Sequence, residues 1–511
     1  MNEKKYRLTK NEILAFVSAM VFYIVAHGLC FSNRIYSHDY LQSIYKNDAA
    51  WQVALGRFLQ PVLMVLRGSI SVPWVIETIT MVCVAVTAVL LYRLFQMESK
   101  TEAFCLSGIL SCNLVWTTSN ASYMPWVDSY GICLLLSVWA VYLLRKNTWK
   151  GRILAVISLV ISLGFYQAYV FVYITLVVLQ FIWNLRTKED TKKELLSVCW
   201  HVGALVLAGL LYFIGWKIFQ KALNIWTSDS YNGLASLGDY EGYSVGQLLK
   251  LSFVQFINFF LHPQIFVTFT VREISLGIFW VWVLRVMNLV AACLILVGTF
   301  RSLKGRTVFQ KVCKILLTLL LPFIMNGISI LSKGMVHDLM IFPYLFVYVY
   351  AIAMGGELFK GRKICKRIYL AIPFAILIWA NIVVANQAYY KRDLQEEATL
   401  SLMTRIVDRV EQEPAYEAGV TPVAFAGSFM ASEEIYGLPE FRDITLYSFS
   451  NTSLTYVGLP ESYIKYVMQV NMNLTKTDLT DERIESMPCF PKEGSVAMID
   501  GIVVIKISDL H

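Results

Sequence analysis

The residues best suited to chemistry lie in a polar loop, 31–61, between two long apolar segments. Its acid Asp39 follows the first segment by only a few residues, so we expect it where that segment would leave a membrane. An aspartate at such a place could act as a general base and take a proton from an attacking hydroxyl group. A solvated loop acid or a helix N-cap explains the same position equally well. Asp48 lies in a helical pattern and is better interpreted as a helix-surface acid.

Cations that could bind a phosphate group are found near the ends of apolar segments. A departing phosphate needs positive charge, which arginine supplies with a planar fork and lysine with a point charge. For any one of these cations, an interfacial side chain with its charge in water is the simpler interpretation. The four candidates, all predicted on the same side of the membrane as Asp39, are Arg57, Arg272, Lys333 and His337.

A second group of polar residues could contact hydroxyl groups of a substrate. Asp128 begins an apolar segment, where the helix dipole favours an acid, and this interpretation is slightly preferred to a second acid in the site. Tyr166 and Gln167 lie in a turn between two short apolar segments, where an aromatic residue commonly anchors the membrane interface. We assign His38, directly before Asp39, to the same group.

The composition of the 511-residue chain indicates a membrane protein. The hydrophobic share is 57% and the charged share 16%, whereas soluble chains average roughly 45–50% and about 25%. A spanning helix needs about 20 apolar residues, and two of the predicted segments, 153–163 and 170–183, are near or below the lower limit. We predict about eleven transmembrane helices, over 12–31, 72–95, 103–118, 129–144, 153–163, 170–183, 197–219, 274–300, 315–331, 339–354 and 369–384.

The distribution of lysine and arginine predicts the orientation. With the N-terminus in the cytoplasm, the cytoplasmic segments hold roughly three times as many of these residues as the opposite loops. This arrangement puts the Asp39 loop and the C-terminal tail outside. The net charge of +8 therefore reflects topology, and we predict no nucleic-acid partner. The ten cysteines form no Cys-x-x-Cys or Cys/His spacing, so no structural metal site is predicted.

The composition changes near residue 386, which divides the chain into two predicted domains. Residues 1–385 would form the transmembrane catalytic domain, and residues 386–511 a small extracytoplasmic α/β domain. The tail opens with a helical pattern at 393–412. Strand-like runs follow at 420–426, 444–449 and 496–507, the last with an Asp500-Gly501 turn.

Four short motifs, taken in their order and spacing, resemble a known family. They are SHDYLQSIYKNDAAWQVALGRFLQPVL, YMPWVDSYG, GFYQAYVF and NQAYYKRDLQEEATLSLMTRIVDRV. Together they resemble the bacterial Gtr-type (type II) glucosyltransferases, which are polytopic membrane enzymes of the GT-C class. The resemblance is clearest over 31–183 and 386–410.

The resemblance implies a donor, a place of reaction and a base. The donor would be a polyprenyl-phosphate sugar, with glucose as the expected sugar. The reaction would occur on the outer face of the bacterial cytoplasmic membrane, with transfer to a cell-surface polysaccharide or its lipid-linked precursor. The anomeric carbon would be inverted, and the base of the first outer loop maps to Asp39. Related enzymes often carry two neighbouring acids there, whereas this chain has His38 and Asp39. No cofactor is predicted. A divalent metal is not strictly needed, because arginines can neutralise a single phosphate, and whether one is used is left open.

Two other functions fit parts of the pattern. A flippase for lipid-linked oligosaccharides would carry charges along a transmembrane cavity, whereas this chain gathers its candidate residues on one face. A polysaccharide polymerase or ligase would use a diphosphate-linked oligosaccharide, and the size of the product would distinguish it from an enzyme that adds one sugar.

Overall fold

The computed structural model describes residues 8–32, 49–186, 191–226, 242–262, 264–267, 270–273, 277–361, 364–429, 459–476 and 480–509. Most of these residues are helical, and among them eight helical stretches are long and apolar enough to cross a membrane. A small sheet lies near the C-terminus. These features confirm the predicted polytopic α-helical membrane protein.

The helices of the described ranges vary in length from 4 to 48 residues. In chain order they are α1 (Lys10–His27), α2 (Ala49–Ala54), α3 (Gln60–Leu66), α4 (Pro73–Leu94), α5 (Lys100–Ser111), α6 (Leu114–Tyr123), α7 (Val127–Arg145), α8 (Trp149–Phe165), α9 (Val170–Asn184), α10 (Thr191–Leu223), α11 (Val245–Leu261), α12 (Gly277–Ser302), α13 (Val308–Met325), α14 (Gly327–Leu331), α15 (Phe346–Leu358), α16 (Ile364–Glu411), α17 (Leu459–Ser462) and α18 (Glu482–Ser486).

Several predicted membrane segments are shorter or more broken than a single spanning helix. The predicted segment 103–118 is divided at Asn113, whose side chain accepts a hydrogen bond from the Trp116 backbone N–H at 3.3 Å and caps α6. Helices α8 and α15 have 17 and 13 residues. Each is shorter than the roughly 20 residues that cross about 30 Å of hydrocarbon.

Small residues and interhelical hydrogen bonds pack α1 against α5. Ala15 and Ala19 of α1 are fully buried. The Ser107 hydroxyl of α5 donates to the Ala15 carbonyl at 2.7 Å, and the Ser111 hydroxyl donates to the Ala19 carbonyl at 2.9 Å. Such contacts favour helix association where lipid removes the hydrophobic driving force. Helix α4 packs against α1 and α7, and α7 packs against α8, so these helices support the turns described below.

The described residues contain two small sheets, one between α11 and α12 in the sequence and one near the C-terminus. An antiparallel hairpin pairs β1 (Gln264–Val267) with β2 (Thr270–Glu273). The C-terminal sheet has the order β4-β3-β6-β5, and its strands are β3 (Pro422–Ala426), β4 (Asn473–Leu474), β5 (Val496–Ile499) and β6 (Ile502–Lys506).

The C-terminal sheet confirms the strands predicted at 420–426 and 496–507. Asp500 and Gly501 both have positive φ, at 50° and 80°, as the tight turn between β5 and β6 requires. The predicted run 444–449 lies outside the described residues. Helix α16 continues through residue 385, so the division of the chain into two domains stays a prediction.

Candidate active site

The predicted catalytic loop is described only in its second half. Asp39 and His38 lie in the segment 33–48, outside the described residues, and their roles stay predictions. The described part begins at α2 and continues through the turn that carries Arg57. Within the described residues, this turn shows how the loop contacts the helices.

Three side chains from other helices fix the backbone of this turn. Trp216 Nε1 of α10 donates to the Val53 carbonyl at 2.6 Å. The Tyr212 hydroxyl donates to the Gly56 carbonyl at 3.0 Å. Gln167 Nε2 donates to the Leu55 carbonyl at 2.9 Å and to the Tyr212 hydroxyl at 2.8 Å. The segment is thus held at three of the four carbonyls from 53 to 56, and its next residue, Arg57, is positioned by the bundle.

Arg57 lies over an aromatic ring at the α8–α9 turn. Its guanidinium carbon is 4.6 Å from the centroid of the Tyr166 ring. Tyr166 is buried and packs against Tyr130, with ring centroids 5.2 Å apart. A guanidinium group stacks on a ring through its face and binds phosphate oxygens through its edge. The structure therefore brings together Arg57 and Tyr166, two of the predicted site residues.

His337 joins the same region from the turn that follows α14. Its Nδ1 accepts a hydrogen bond from the Leu339 backbone N–H at 3.3 Å, so the neutral ring carries its proton on Nε2. Nε2 lies 3.1 Å from the Tyr123 hydroxyl and donates to it. Burial lowers the pKa of His337 to about 3, and the positive charge of Arg57 shifts the pKa in the same direction. At neutral pH the imidazole is therefore uncharged, and it would contact a phosphate as a dipole.

Asp128 forms a buried ion pair at the start of α7. Its Oδ2 lies 3.3 Å from Arg67 Nε, and neither side chain is more than 3% exposed. Its Oδ1 accepts from the Ser129 backbone N–H at 2.9 Å. Arg67 Nη2 also donates to the Pro125 carbonyl at 2.8 Å, which ties the end of α3 to the α6–α7 turn. The carboxylate of Asp128 is thus held by Arg67 and the Ser129 backbone N–H, and its contact with a substrate hydroxyl stays a prediction.

Lys333 and Arg272 lie in neighbouring segments. Lys333 adopts a positive φ of 53° in the turn after α14. Gln255 Nε2 of α11 holds this turn by donating to the Gly334 carbonyl at 2.7 Å. Arg272 is in β2, in register with Ile265, and strand β1 contacts the short turn Asp338–Met340 beside His337. The turns that carry His337 and Lys333 and the hairpin that carries Arg272 are therefore neighbours, while the roles of Lys333 and Arg272 stay predictions.

A family comparison covers this whole region. Residues 28–354 match the family model described as Glucosyl transferase GtrII, and this stretch is more than half of the chain. The chain belongs to the GtrII glucosyl transferase family. The match confirms the resemblance noted from the motifs, and every predicted site residue lies inside it. No curated protein and no solved structure matches the chain.

One buried acid of this GtrII protein was not among the predicted site residues. Glu77, on α4, is fully buried, and its Oε2 accepts from the Tyr23 hydroxyl at 2.7 Å. Its Oε1 has no hydrogen-bond partner among the described residues, and neither has the buried amide of Asn120. The signal in the sequence was a single acid inside an apolar segment, because such a residue is costly in a membrane and is usually functional.

The described part of the GtrII chain contains the four residues predicted to bind a phosphate, while the base is predicted in the segment 33–48, outside the described residues. Within the described ranges, no group of three or more His, Cys, Asp or Glu side chains could hold a metal ion. Gln167, predicted to contact sugar, uses its amide nitrogen to hold the turn of Arg57. Its direct contribution is therefore the position of a cation, and any contact with sugar stays a prediction.

The buried His337 should make the stability of the protein sensitive to acid. The unfolded chain binds a proton at this residue below about pH 6.5, whereas the folded chain does not until about pH 3. Between these values the unfolded state holds more protons, so the free energy of unfolding falls as the pH drops, by up to about 1.4 kcal/mol per unit. The His337→Gln variant should lose less melting temperature between pH 7 and pH 5 than the wild type. Equal losses would contradict a neutral His337.

Proposed function

We propose that this GtrII protein is an inverting glycosyltransferase that moves a sugar, expected to be glucose, from a polyprenyl-phosphate donor to a glycan. The observation that carries the proposal is the rigid turn that holds Arg57 on Tyr166 beside His337. This turn belongs to the same loop as Asp39. It supplies a fixed cation for a single phosphate at the end of an apolar segment, where the head group of a lipid-linked sugar would lie.

The proposed reaction has one displacement. Asp39 takes the proton from a hydroxyl group of the acceptor, and the oxygen attacks the anomeric carbon from the face opposite to the phosphate. The bond between this carbon and the phosphate oxygen breaks as the new glycosidic bond forms. Polyprenyl phosphate leaves with the bonding electrons, and Arg57 stabilises its charge. Arg272, Lys333 and His337 are further candidates for contacts with the phosphate, and His38, Asp128, Tyr166 and Gln167 for the acceptor side.

The proposed setting follows from the same charge pattern that predicts the topology. The N-terminus would be cytoplasmic, and the turns that carry Arg57 and His337 would face the outer side of the cytoplasmic membrane. Residues 1–385 would form the catalytic domain, and residues 386–511 the extracytoplasmic domain. The acceptor would be a cell-surface polysaccharide or its lipid-linked precursor.

The decisive experiment compares donors and measures the product. The purified protein in lipid nanodiscs would receive delipidated wall polysaccharide with radiolabelled glucose on either polyprenyl phosphate or a nucleoside diphosphate. We expect transfer from the lipid donor alone, with one hexose added at each acceptor site. A ladder of large products from a diphosphate-linked oligosaccharide would indicate a polymerase instead. Movement of a lipid-linked glycan across the bilayer without any new glycosidic bond would indicate a flippase.

The role of Arg57 can be tested against another stacked arginine. The Arg57→Ala variant should lower kcat/KM roughly tenfold to a hundredfold, because one charge-assisted contact to the leaving phosphate is lost while other cations remain. Arg57→Lys should recover only part of the loss, since lysine lacks the planar fork. The control is Arg152→Ala, which removes an arginine 3.5 Å from the ring centroid of Trp200 at the other end of α8. Similar losses in the Arg57 and Arg152 variants would contradict a role in leaving-group stabilisation.

A further inference from the structure

The far end of the bundle contains a lysine in an unusual environment. Lys314 lies in the second turn of α13 and is only 1% exposed. Its ammonium group donates a hydrogen bond to the Ser302 hydroxyl at the end of α12. The hydroxyl is itself a donor to the Thr299 carbonyl at 2.6 Å. A neutral hydroxyl is thus the polar partner of a buried group that normally carries a full charge and three donors.

The charged neighbours of Lys314 are also cations. The positive charges of Arg186 and Arg306 both act on its ammonium group. Arg306 donates to the Arg186 backbone carbonyl, and its buried Nε has no hydrogen-bond partner within the ranges that the structure describes. The Arg186 guanidinium lies 3.8 Å from the ring centroid of Trp183 and 3.7 Å from Glu357. The three cations therefore converge where the α9–α10 and α12–α13 connections meet.

Among the described residues, the one ion pair made by these three cations joins Arg186 to Glu357. In the described part of the chain, neither Lys314 nor Arg306 contacts a carboxylate. Glu357 is the described acid next to Arg186. Burial of an ammonium group without a counter-charge is unfavourable, and two nearby guanidinium groups make it more unfavourable. An anion bound between these side chains would remove both penalties.

The geometry points to a binding site for a phosphate group between Lys314, Arg306 and Arg186. A phosphate offers several acceptor oxygens, which suit the unpartnered Nε of Arg306 and the remaining donors of Lys314. Basic pockets between membrane helices commonly bind the head groups of acidic phospholipids. The site is about 17 Å along α13 from the turns of the candidate active site, so it is separate from the Arg57 region.

Either an acidic phospholipid or free phosphate could supply this group, and the test separates the two sources. The full-length protein would be reconstituted in nanodiscs of phosphatidylcholine, with or without phosphatidylglycerol. A third sample, in a non-ionic detergent, would receive inorganic phosphate. We expect a higher melting temperature with phosphatidylglycerol if the head group is bound. A shift with inorganic phosphate alone would identify free phosphate as sufficient.

Variants make the test specific to the buried cluster. Lys314→Met keeps the length of the side chain but removes the charge, and it should abolish most of the shift or weaken binding roughly tenfold or more. Lys311→Met is the matched control, because Lys311 is exposed on the same helix and should keep the shift. Arg306→Gln provides an independent test if Lys314→Met fails to fold. No shift with either source of phosphate, or an unchanged shift in both Lys314→Met and Arg306→Gln, would overturn the proposal.

Discussion

The Asp39→Asn variant should fold and insert like the wild type but transfer sugar about 10² to 10⁴ times more slowly. An amide has nearly the same shape as the carboxylate, but it cannot accept the proton of the attacking hydroxyl. General-base catalysis contributes rate enhancements of this size. The measurement is single-turnover transfer from radiolabelled polyprenyl-phosphate glucose by the purified protein, with circular dichroism and melting temperature to establish correct folding.

The same loop offers a matched control. Asp48 is nine residues after Asp39, and its position in a helical pattern predicts a surface acid, so Asp48→Asn should keep most of the activity. Each assay would be repeated with EDTA, since a metal-independent base predicts equal rates with and without the chelator. Transfer at the wild-type rate by Asp39→Asn would rule out Asp39 as the base. Glu77 would then be the next acid to test, because it is buried and its Oε1 has no hydrogen-bond partner in the described part of the chain.

The turn that carries Arg57 is held in place by side chains from other parts of the bundle. Its turn is bound through the carbonyls of Val53, Leu55 and Gly56 to side chains of α10 and the α8–α9 turn. The loop that carries the predicted base therefore ends at a rigid anchor on the bundle. A cation that is already in place when charge develops on the leaving phosphate needs no reorganisation, and this is the main source of electrostatic catalysis. Substitutions at Tyr212 or Gln167 would act on transfer through the position of Arg57.

The features that follow from periodicity and local rules could be predicted from the sequence. The apolar segments predicted the positions of long apolar helices. Helix α4, for example, covers 73–94 where the segment 72–95 was expected. The Asp500-Gly501 pair predicted the turn between β5 and β6, because an Asp-Gly pair readily adopts positive φ. The family followed from the order of short motifs and is confirmed over 28–354.

The features that depend on contacts between distant segments could not be predicted in the same way. Asp128 could be recognised as an acid at the start of a helix, but its partner Arg67 is 61 residues away in the sequence, at the end of α3. The tautomer and neutral state of His337 depend on burial and on the Leu339 backbone N–H. Gln167 could be recognised as a turn residue, but the Leu55 carbonyl that it contacts lies 112 residues away in the sequence.

The buried pair of Arg67 and Asp128 should have the largest effect on stability. The Arg67→Met variant leaves the carboxylate of Asp128 buried without its counter-charge, and loss of one partner of a buried ion pair typically costs about 3–5 kcal/mol. We therefore expect a much lower free energy of unfolding, measured by denaturant titration in mild detergent. The double variant Arg67→Met with Asp128→Asn should recover most of this loss, because the amide oxygen can still accept from the Ser129 backbone N–H.

An exposed ion pair tests whether the distance between the two charges or their burial determines the loss of stability. Lys360 Nζ lies 2.8 Å from Glu98 Oε1, closer than the 3.3 Å between Arg67 and Asp128, but both side chains are more than half exposed. Exposed pairs contribute about 0–1 kcal/mol because water screens them, so Lys360→Met should change the unfolding free energy little. If Arg67→Met is no more destabilising than Lys360→Met, Asp128 must hold a proton in the folded protein. It would then be a neutral hydrogen-bond donor at the start of α7 and free to contact an acceptor hydroxyl.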